Sequence, residues 1–387
     1  MAVRTPTGWV PLGFVRDGSV VFLIARERSA RWPIEALRSG VVDLRLPDRE
    51  VRGRTALVTG SEERARILDL FRRSYGPEKF ARWYDRPSRI LRVDLDADSG
   101  TGLAPEQQYA SWLESEFDNV ADDYDHHITG NRMNQLLRDR SIVELRRAFA
   151  GRRHLLEVGC GSGMETLQLL RDGHEITAVD ISERMLVVVR AKATRDGMGE
   201  RLRTVKLRAR DLAGLGSGAA EPAFDGAYST YGALNCEPDL HPVAAGFDRL
   251  LAGGAPLVLG VYNRWCAFEL VGYSLSGQGR RALGRRTNPV RVGSSRFCID
   301  VYAYSVGDID RAFGPAFERT RLEGVPVLLP PSDLTSYAER FARHFDQLAA
   351  LDARAGRRWP WNHLGDHFLA TYRRRRWSDE PTGTGAN

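Results

Sequence analysis

The chain has 387 residues, 42% of them hydrophobic and 27% charged, a balance that suits folded domains and excludes a disordered chain. No run of about eighteen apolar residues occurs, which excludes a helical membrane span. The net charge of +6 is dispersed among interleaved Asp and Glu and is carried by Arg far more than Lys, so nucleic acid is not expected as a partner.

The length exceeds one comfortable domain, and two are expected. Residues 1–18 lack the apolar core and cleavage site of a signal peptide, so a cytoplasmic location is the expectation. Cys160, Cys236, Cys266 and Cys298 form no closely spaced pair and read as free thiols, with no metal site.

Residues 1–98 read as a small β-rich unit. Val10 to Val15 and Val20 to Ala25 flank Arg16-Asp17-Gly18-Ser19, a turn signal between apolar runs. Val41 to Leu46 and Gly53 to Thr59 predict two more strands, and Arg89 to Leu95 a last one. Between them Ser61 can cap a helix whose stripe is Ile67, Leu68, Phe71 and Tyr75. This order, with Trp32 after the second strand and Tyr75-Gly76 closing the helix, resembles the split β-barrel of pyridoxamine-phosphate-oxidase-like and deazaflavin-dependent proteins. The Gly-rich basic entry segment of those proteins is missing here, so the resemblance implies an accessory domain, with a flavin- or deazaflavin-binding oxidoreductase as the alternative.

Asp96 to Pro105 is polar, Gly-containing and closed by proline, which places a linker at 99–106. From Gln107 the pattern is helical, then alternates strand and helix, which predicts an α/β domain with a mostly parallel sheet.

His154-Leu-Leu-Glu-Val-Gly-Cys-Gly-Ser-Gly-Met164 carries the chemistry. An apolar strand, Leu155 to Val158, runs into glycines that let a ligand approach the amides of a following helix. The spacing is G-x-G-x-G, not the G-x-G-x-x-G of dinucleotide folds. A second strand, Glu175 to Val179, ends in Asp180, about twenty residues past the first glycine, where a ribose-binding carboxylate belongs.

Leu-Glu-Val-Gly-Cys-Gly-Ser-Gly and Ala178-Val-Asp-Ile-Ser-Glu-Arg-Met-Leu186 resemble the first two motifs of class I S-adenosylmethionine-dependent methyltransferases, and the resemblance spans 107–377. It implies a Rossmann-like seven-stranded sheet, preceded here by the small β-rich domain, and S-adenosylmethionine as cofactor. By position, Glu157, Gly159, Cys160, Gly161, Gly163, Asp180, Ile181, Met185, Asp211, Leu212 and Ser229 would meet that cofactor. Val205 to Arg210, Phe224 to Tyr231, Pro256 to Tyr262, Ala316 to Gly324 and Asp366 to Arg374 would be the later strands. Residues 107–150 resemble the helical cap of small-molecule methyltransferases, in which Tyr124 would close over the cofactor; a core tyrosine is the alternative.

Methyl transfer needs positioning and, for oxygen or nitrogen acceptors, removal of a proton. Tyr231, Asn235 and Glu237 follow the fourth strand and should border the methyl group, with Tyr231 and Asn235 orienting an acceptor; the alternative for Asn235 is to stabilise the turn before Pro238. Among the histidines His127 is the preferred base; His126 and His241 are rivals, and His363 and His367 are expected to be structural. The stretch 264–305 interrupts the spacing and would be a lid whose basic part suits an acidic small-molecule acceptor, with a solvated loop as the alternative. A homo-oligomer is compatible with the sequence. A protein that holds the cofactor without catalysis is the further alternative. Residues 378–387 should be a disordered tail.

Overall fold

A computed structural model describes residues 1–5, 8–25, 31–46, 50–84, 89–95, 105–215, 224–287, 289–290, 299–332, 334 and 344–376. The tail and most of the expected linker, together with Cys298, lie outside them. The chain divides into two units at Asn119/Val120.

The first unit is built on strands β1 (Ala2–Thr5), β2 (Gly8–Pro11), β3 (Phe14–Asp17), β4 (Val20–Ala25), β5 (Val41–Arg45), β6 (Glu50–Leu57) and β7 (Arg89–Asp94). They form one antiparallel sheet in the order β2-β1-β5-β6-β7-β4-β3. Its helices are α1 (Trp32–Ser39), α2 (Ser61–Tyr75), α3 (Pro77–Tyr84) and α4 (Pro105–Asp118). Ile67 and Phe71, one turn apart on α2, are fully buried against Val15, Phe22, Ile24 and Ile90.

Several expectations need correction. The single strand expected over Val10 to Val15 is two, because Pro11 has no amide to continue the ladder. Trp32 opens a helix. Gly60, not Ser61, is the N-cap of α2. The split-barrel resemblance is not confirmed: the sheet is a linear series with β2 and β3 at its edges. The boundary falls after α4, later than expected, because Arg89 on β7 makes a buried two-pronged ion pair with Glu116 (2.7 Å each) and stacks on Trp112.

The second unit carries strands β8 (His154–Val158), β9 (Glu175–Asp180), β10 (Leu202–Lys206), β11 (Gly226–Ser229), β12 (Pro256–Tyr262), β13 (Phe317–Val325) and β14 (His367–Arg374). Their order is β10-β9-β8-β11-β12-β14-β13, parallel from β10 to β12, with β14 antiparallel between β12 and β13. The helices are α5 (Tyr124–Thr129), α6 (Arg132–Ala148), α7 (Met164–Arg171), α8 (Glu183–Arg195), α9 (His241–Leu250), α10 (Ala267–Leu275), α11 (Gly279–Ala282), α12 (Val306–Phe313) and α13 (Phe345–Ala355). No helix among the described residues is long and apolar enough to cross a membrane.

Strand residues alternate between two cores, as the pleat requires. Leu156, Ala227, Leu257 and Leu259 join Val243 and Phe247 of α9 and Ile309 and Phe313 of α12. Leu155, Tyr228 and Val258 face the opposite way, onto Leu145 of α6, Leu169 of α7 and Val189 of α8. The third strand begins earlier than expected: Leu202 pairs with Ile176 and Lys206 with Asp180, where β9 ends, and Ala209–Gly214 is already a 3-10 helix. The carboxyl ends of β8, β9, β11 and β12 and the start of β14 therefore share one edge, the edge where open α/β sheets hold ligands.

Candidate functional site

At that edge β8 runs into the glycine loop. The amide of Gly159 donates to the Val179 carbonyl at 2.7 Å. Gly159 has φ 78°, and a Cβ there would lie 2.2 Å from that of Ala233. Gly163 has φ 84° as the N-cap of α7, and a Cβ there would lie 2.2 Å from Val189 Cγ2. Glycine at both places is demanded by packing and by backbone conformation together. Gly161 differs: a Cβ would meet only the Tyr124 ring, at 3.7 Å, so its backbone is bare toward the cleft.

Asp180 is 8% exposed and grips this loop. Its Oδ2 accepts from the Gly161 amide at 2.8 Å and its Oδ1 from the Ser182 amide at 2.9 Å. Ser182 in turn caps α8, accepting from the Met185 amide. Ile181 is half-buried and Met185 buried in the same turn. Glu157, at the end of β8, lies under the loop and accepts from the Thr166 hydroxyl on α7. Burial pushes its carboxyl up to about 8 against the opposing pull of Thr166, so it is largely uncharged at pH 7. Burial likewise raises the thiol of Cys160 and keeps it protonated.

Residues 120–129 cover the loop. Tyr124 lines the cleft with Arg138, Gly159, Gly161, Glu165 and Tyr231. Lys192 of α8 pairs with Asp125 and donates to the Ser162 carbonyl at 2.9 Å; Arg184 pairs with Asp122 at 3.1 and 2.8 Å. Arg138 and Glu165 were not singled out in the sequence. They form an ion pair, with Arg138 Nη1 donating to both carboxylate oxygens at 2.7 and 2.8 Å. An acidic residue just after the glycine loop was the available signal for Glu165. Arg138, on a helix that precedes the motif, gave none.

This loop and its neighbours match a family described as "Methyltransferase domain" over residues 155–254. Over those residues the chain is similar to a methyltransferase domain. A putative methyltransferase of a Geobacillus strain is 44% identical over 43 residues, which are 11% of this chain and 17% of that protein. The match therefore spans about a sixth of the length of that curated relative. Among solved structures, the CcbJ methyltransferase of Streptomyces caelestis is 16% identical with a TM-score of 0.44, covering 67% of this chain and 98% of that one. The 1,6-didemethyltoxoflavin-N1-methyltransferase of Burkholderia thailandensis is 20% identical with a TM-score of 0.42, covering 72% and 95%.

In the second unit, several residues expected at the cofactor or acceptor have partners within the chain. Ser229 donates to the Val158 carbonyl at 2.7 Å and ties β11 to β8. Leu212 is fully buried in the core under α9, and Asp211 beside it is exposed. The Asn235 amide nitrogen donates to the carbonyls of Tyr262 and Tyr302, and its oxygen accepts from the Tyr262 amide; it fastens the insertion to β12 in place of orienting an acceptor. Glu237 is held by Arg208 through two bonds of 2.8 Å. His126 is exposed on α5, the His127 side chain lies outside the described residues, and His241 is exposed beside Asp239.

Tyr231 is at the cleft, held at φ 44°, a left-handed conformation that non-glycine residues rarely adopt. Its amide donates to the Gly260 carbonyl and its hydroxyl to the Leu137 carbonyl at 2.9 Å. Burial raises its phenol far above the usual range. Tyr231 thus presents a ring rather than a reactive oxygen.

The insertion's basic part is not all exposed. Arg285 is buried, donating to both oxygens of Glu269, to Asp366 Oδ1 at 2.6 Å and to the carbonyls of Asn263 and Asp366, and it stacks on Tyr262. Cys266, Glu269 and Asp366 lie close enough to share a metal ion, but the guanidinium occupies the two carboxylates.

Proposed function

We propose that this protein transfers the methyl group of S-adenosylmethionine to a small-molecule acceptor. The observation that carries the reading is the bond from the Gly161 amide to Asp180 within a packed G-x-G-x-G loop. It aligns a buried carboxylate with a bare stretch of backbone at the ligand-binding edge of the sheet.

The donor set fits the cofactor. Asp180 would accept from ribose hydroxyls, which a carboxylate with ordered oxygens does well. Ile181 and Met185 would flank the adenine, and Tyr124 would cover the bound molecule. Arg138 and Glu165 offer a cation and an anion side by side, the complement of a zwitterionic amino acid. Arg138 would take the carboxylate of the methionine part and Glu165 its ammonium group. When bound, S-adenosylmethionine supplies an electrophilic sulfonium methyl whose leaving group needs no protonation. The protein then has to orient both partners and exclude water.

Calorimetric titration with S-adenosylhomocysteine tests the assignment. The native chain should bind it, and Arg138→Met should weaken S-adenosylhomocysteine much more than 5′-methylthioadenosine, which lacks the amino-acid end. Equal losses for both ligands would remove Arg138 from the proposal.

A further inference from the structure

We propose that Lys192 is a cofactor-positioning residue: it latches residues 121–125 to the main chain of Ser162, and the Ser162 hydroxyl is a contact made to the cofactor inside that latch. The inference rests on the S-adenosylmethionine reading above.

Two cations of α8 hold the covering segment. Arg184, in the first turn, pairs with Asp122, and Lys192, about two turns further on, pairs with Asp125. Between the two acids stands Tyr124, whose Cε1 lies 3.7 Å from where a Cβ on Gly161 would be. The fastened residues are therefore the ones that cover the bare part of the glycine loop. Val189 of the same helix is fully buried and sits against Gly163, so α8 is itself fixed to the loop.

The two pairs are unequal. Arg184 and Asp122 are both solvent-exposed, and such a pair contributes little. The Lys192 side chain is 18% exposed, and its ammonium also donates to the Ser162 carbonyl at 2.9 Å. An ammonium is a compact centre with three donors, which suits a junction between a carboxylate and a main-chain carbonyl. One side chain thus ties the covering segment, the glycine loop and α8 together.

Two covered polar atoms at this junction, Ser162 Oγ and Asp125 Oδ1, have no hydrogen-bond partner among the described residues. Ser162 is 1% exposed and lines the cleft with Arg138 and Glu165. A buried hydroxyl without a partner is costly, and a ligand that accepts from it removes the penalty. The methionine carboxylate, assigned above to Arg138, is such an acceptor. By gripping the Ser162 carbonyl, Lys192 fixes the residue whose hydroxyl meets that ligand. Release of the cofactor requires the covering segment to lift, so loss of the ammonium speeds release more than it slows entry.

The test is stopped-flow displacement of S-adenosylhomocysteine from the full-length protein, with calorimetry for affinity. Lys192→Met should release the ligand about tenfold faster, with the association rate nearly unchanged. Asp125→Asn should do the same, and the double variant should release no faster than either, because both changes remove one junction. Ser162→Ala should weaken S-adenosylhomocysteine by about fivefold or more and spare 5′-methylthioadenosine, which has no carboxylate. If Lys192→Met does not fold, Asp125→Asn alone tests the latch. A native rate of release in the folded variant, even with a lowered urea midpoint, makes the pair a structural bond and overturns the latch. Additive accelerations in the double variant mean two separate contacts and overturn it as well. Unchanged S-adenosylhomocysteine affinity in Ser162→Ala overturns the contact. A native chain that binds no S-adenosylhomocysteine overturns the cofactor reading instead.

Discussion

The two ends of the site edge are made by different means. At β8 and β9 the chain uses backbone: three glycines, the amides of Gly161 and Ser182, and one carboxylate that collects them. At β12 and β14 it uses side chains: Arg285 between Glu269 and Asp366, His367 on Asp366, and tyrosine rings about them. A backbone site tolerates no side chain but spends little on buried charge. A side-chain site carries several buried ionised groups, and each depends on every other being present.

That contrast ranks the experiments. Arg285→Met leaves two carboxylates buried without their cation, and the loss of stability should be the largest in the molecule, about 3–5 kcal/mol in urea unfolding. A loss under about 1 kcal/mol would show that the two acids are solvated or protonated instead. Gly163→Ala places a methyl group against Val189 at a positive φ; strain and overpacking together should cost about 2–4 kcal/mol. If Gly161→Ala costs as much, the difference drawn between the packed glycines and the bare one fails.

Asp180→Ala should weaken S-adenosylhomocysteine by at least about 2 kcal/mol, roughly thirtyfold, in calorimetry. Glu157 offers a pH test. Its carboxyl is raised from 4.5 to about 8, so the folded state holds a proton that the unfolded state releases, and stability falls as pH rises across that window. Glu157→Gln should remove that fall, so the two unfolding curves converge or cross between pH 4.5 and 8; parallel curves would mean an ordinary carboxyl. The smallest effect is expected from Arg184→Ala, since its pair with Asp122 is exposed: under about 1 kcal/mol, vanishing at high salt.

The same contrast explains what the sequence could say. The glycine loop was legible because its requirement is local: a fixed run of neighbouring residues must adopt positive φ beside a strand end, and only glycine does so. Asp180 was legible because it ends the next strand. The β12 and β14 end joins Tyr231, Tyr262, Arg285 and Asp366, which lie far apart in the chain and share no spacing. His367 read as a structural residue at a strand entry, and its bond to Asp366 agrees with that, while the hold of Arg285 on Asp366 has no local signal. Asn235 is the opposite case: its place after the fourth strand suits either an acceptor contact or a structural role, and its amide bonds two backbone segments. In the first unit α1 was missed because Trp32-Pro-Ile-Glu is too short a signal to outweigh the strands around it.

The most direct measurement is calorimetric titration of S-adenosylmethionine and S-adenosylhomocysteine into full-length native protein and Asp180→Ala, with FMN as comparator. Both sulfur ligands should bind the native chain at micromolar concentration, the variant should lose about thirtyfold, and FMN should give no heat. Unchanged affinity in the variant would contradict the role given to Asp180. FMN binding with neither sulfur ligand bound would contradict the account as a whole.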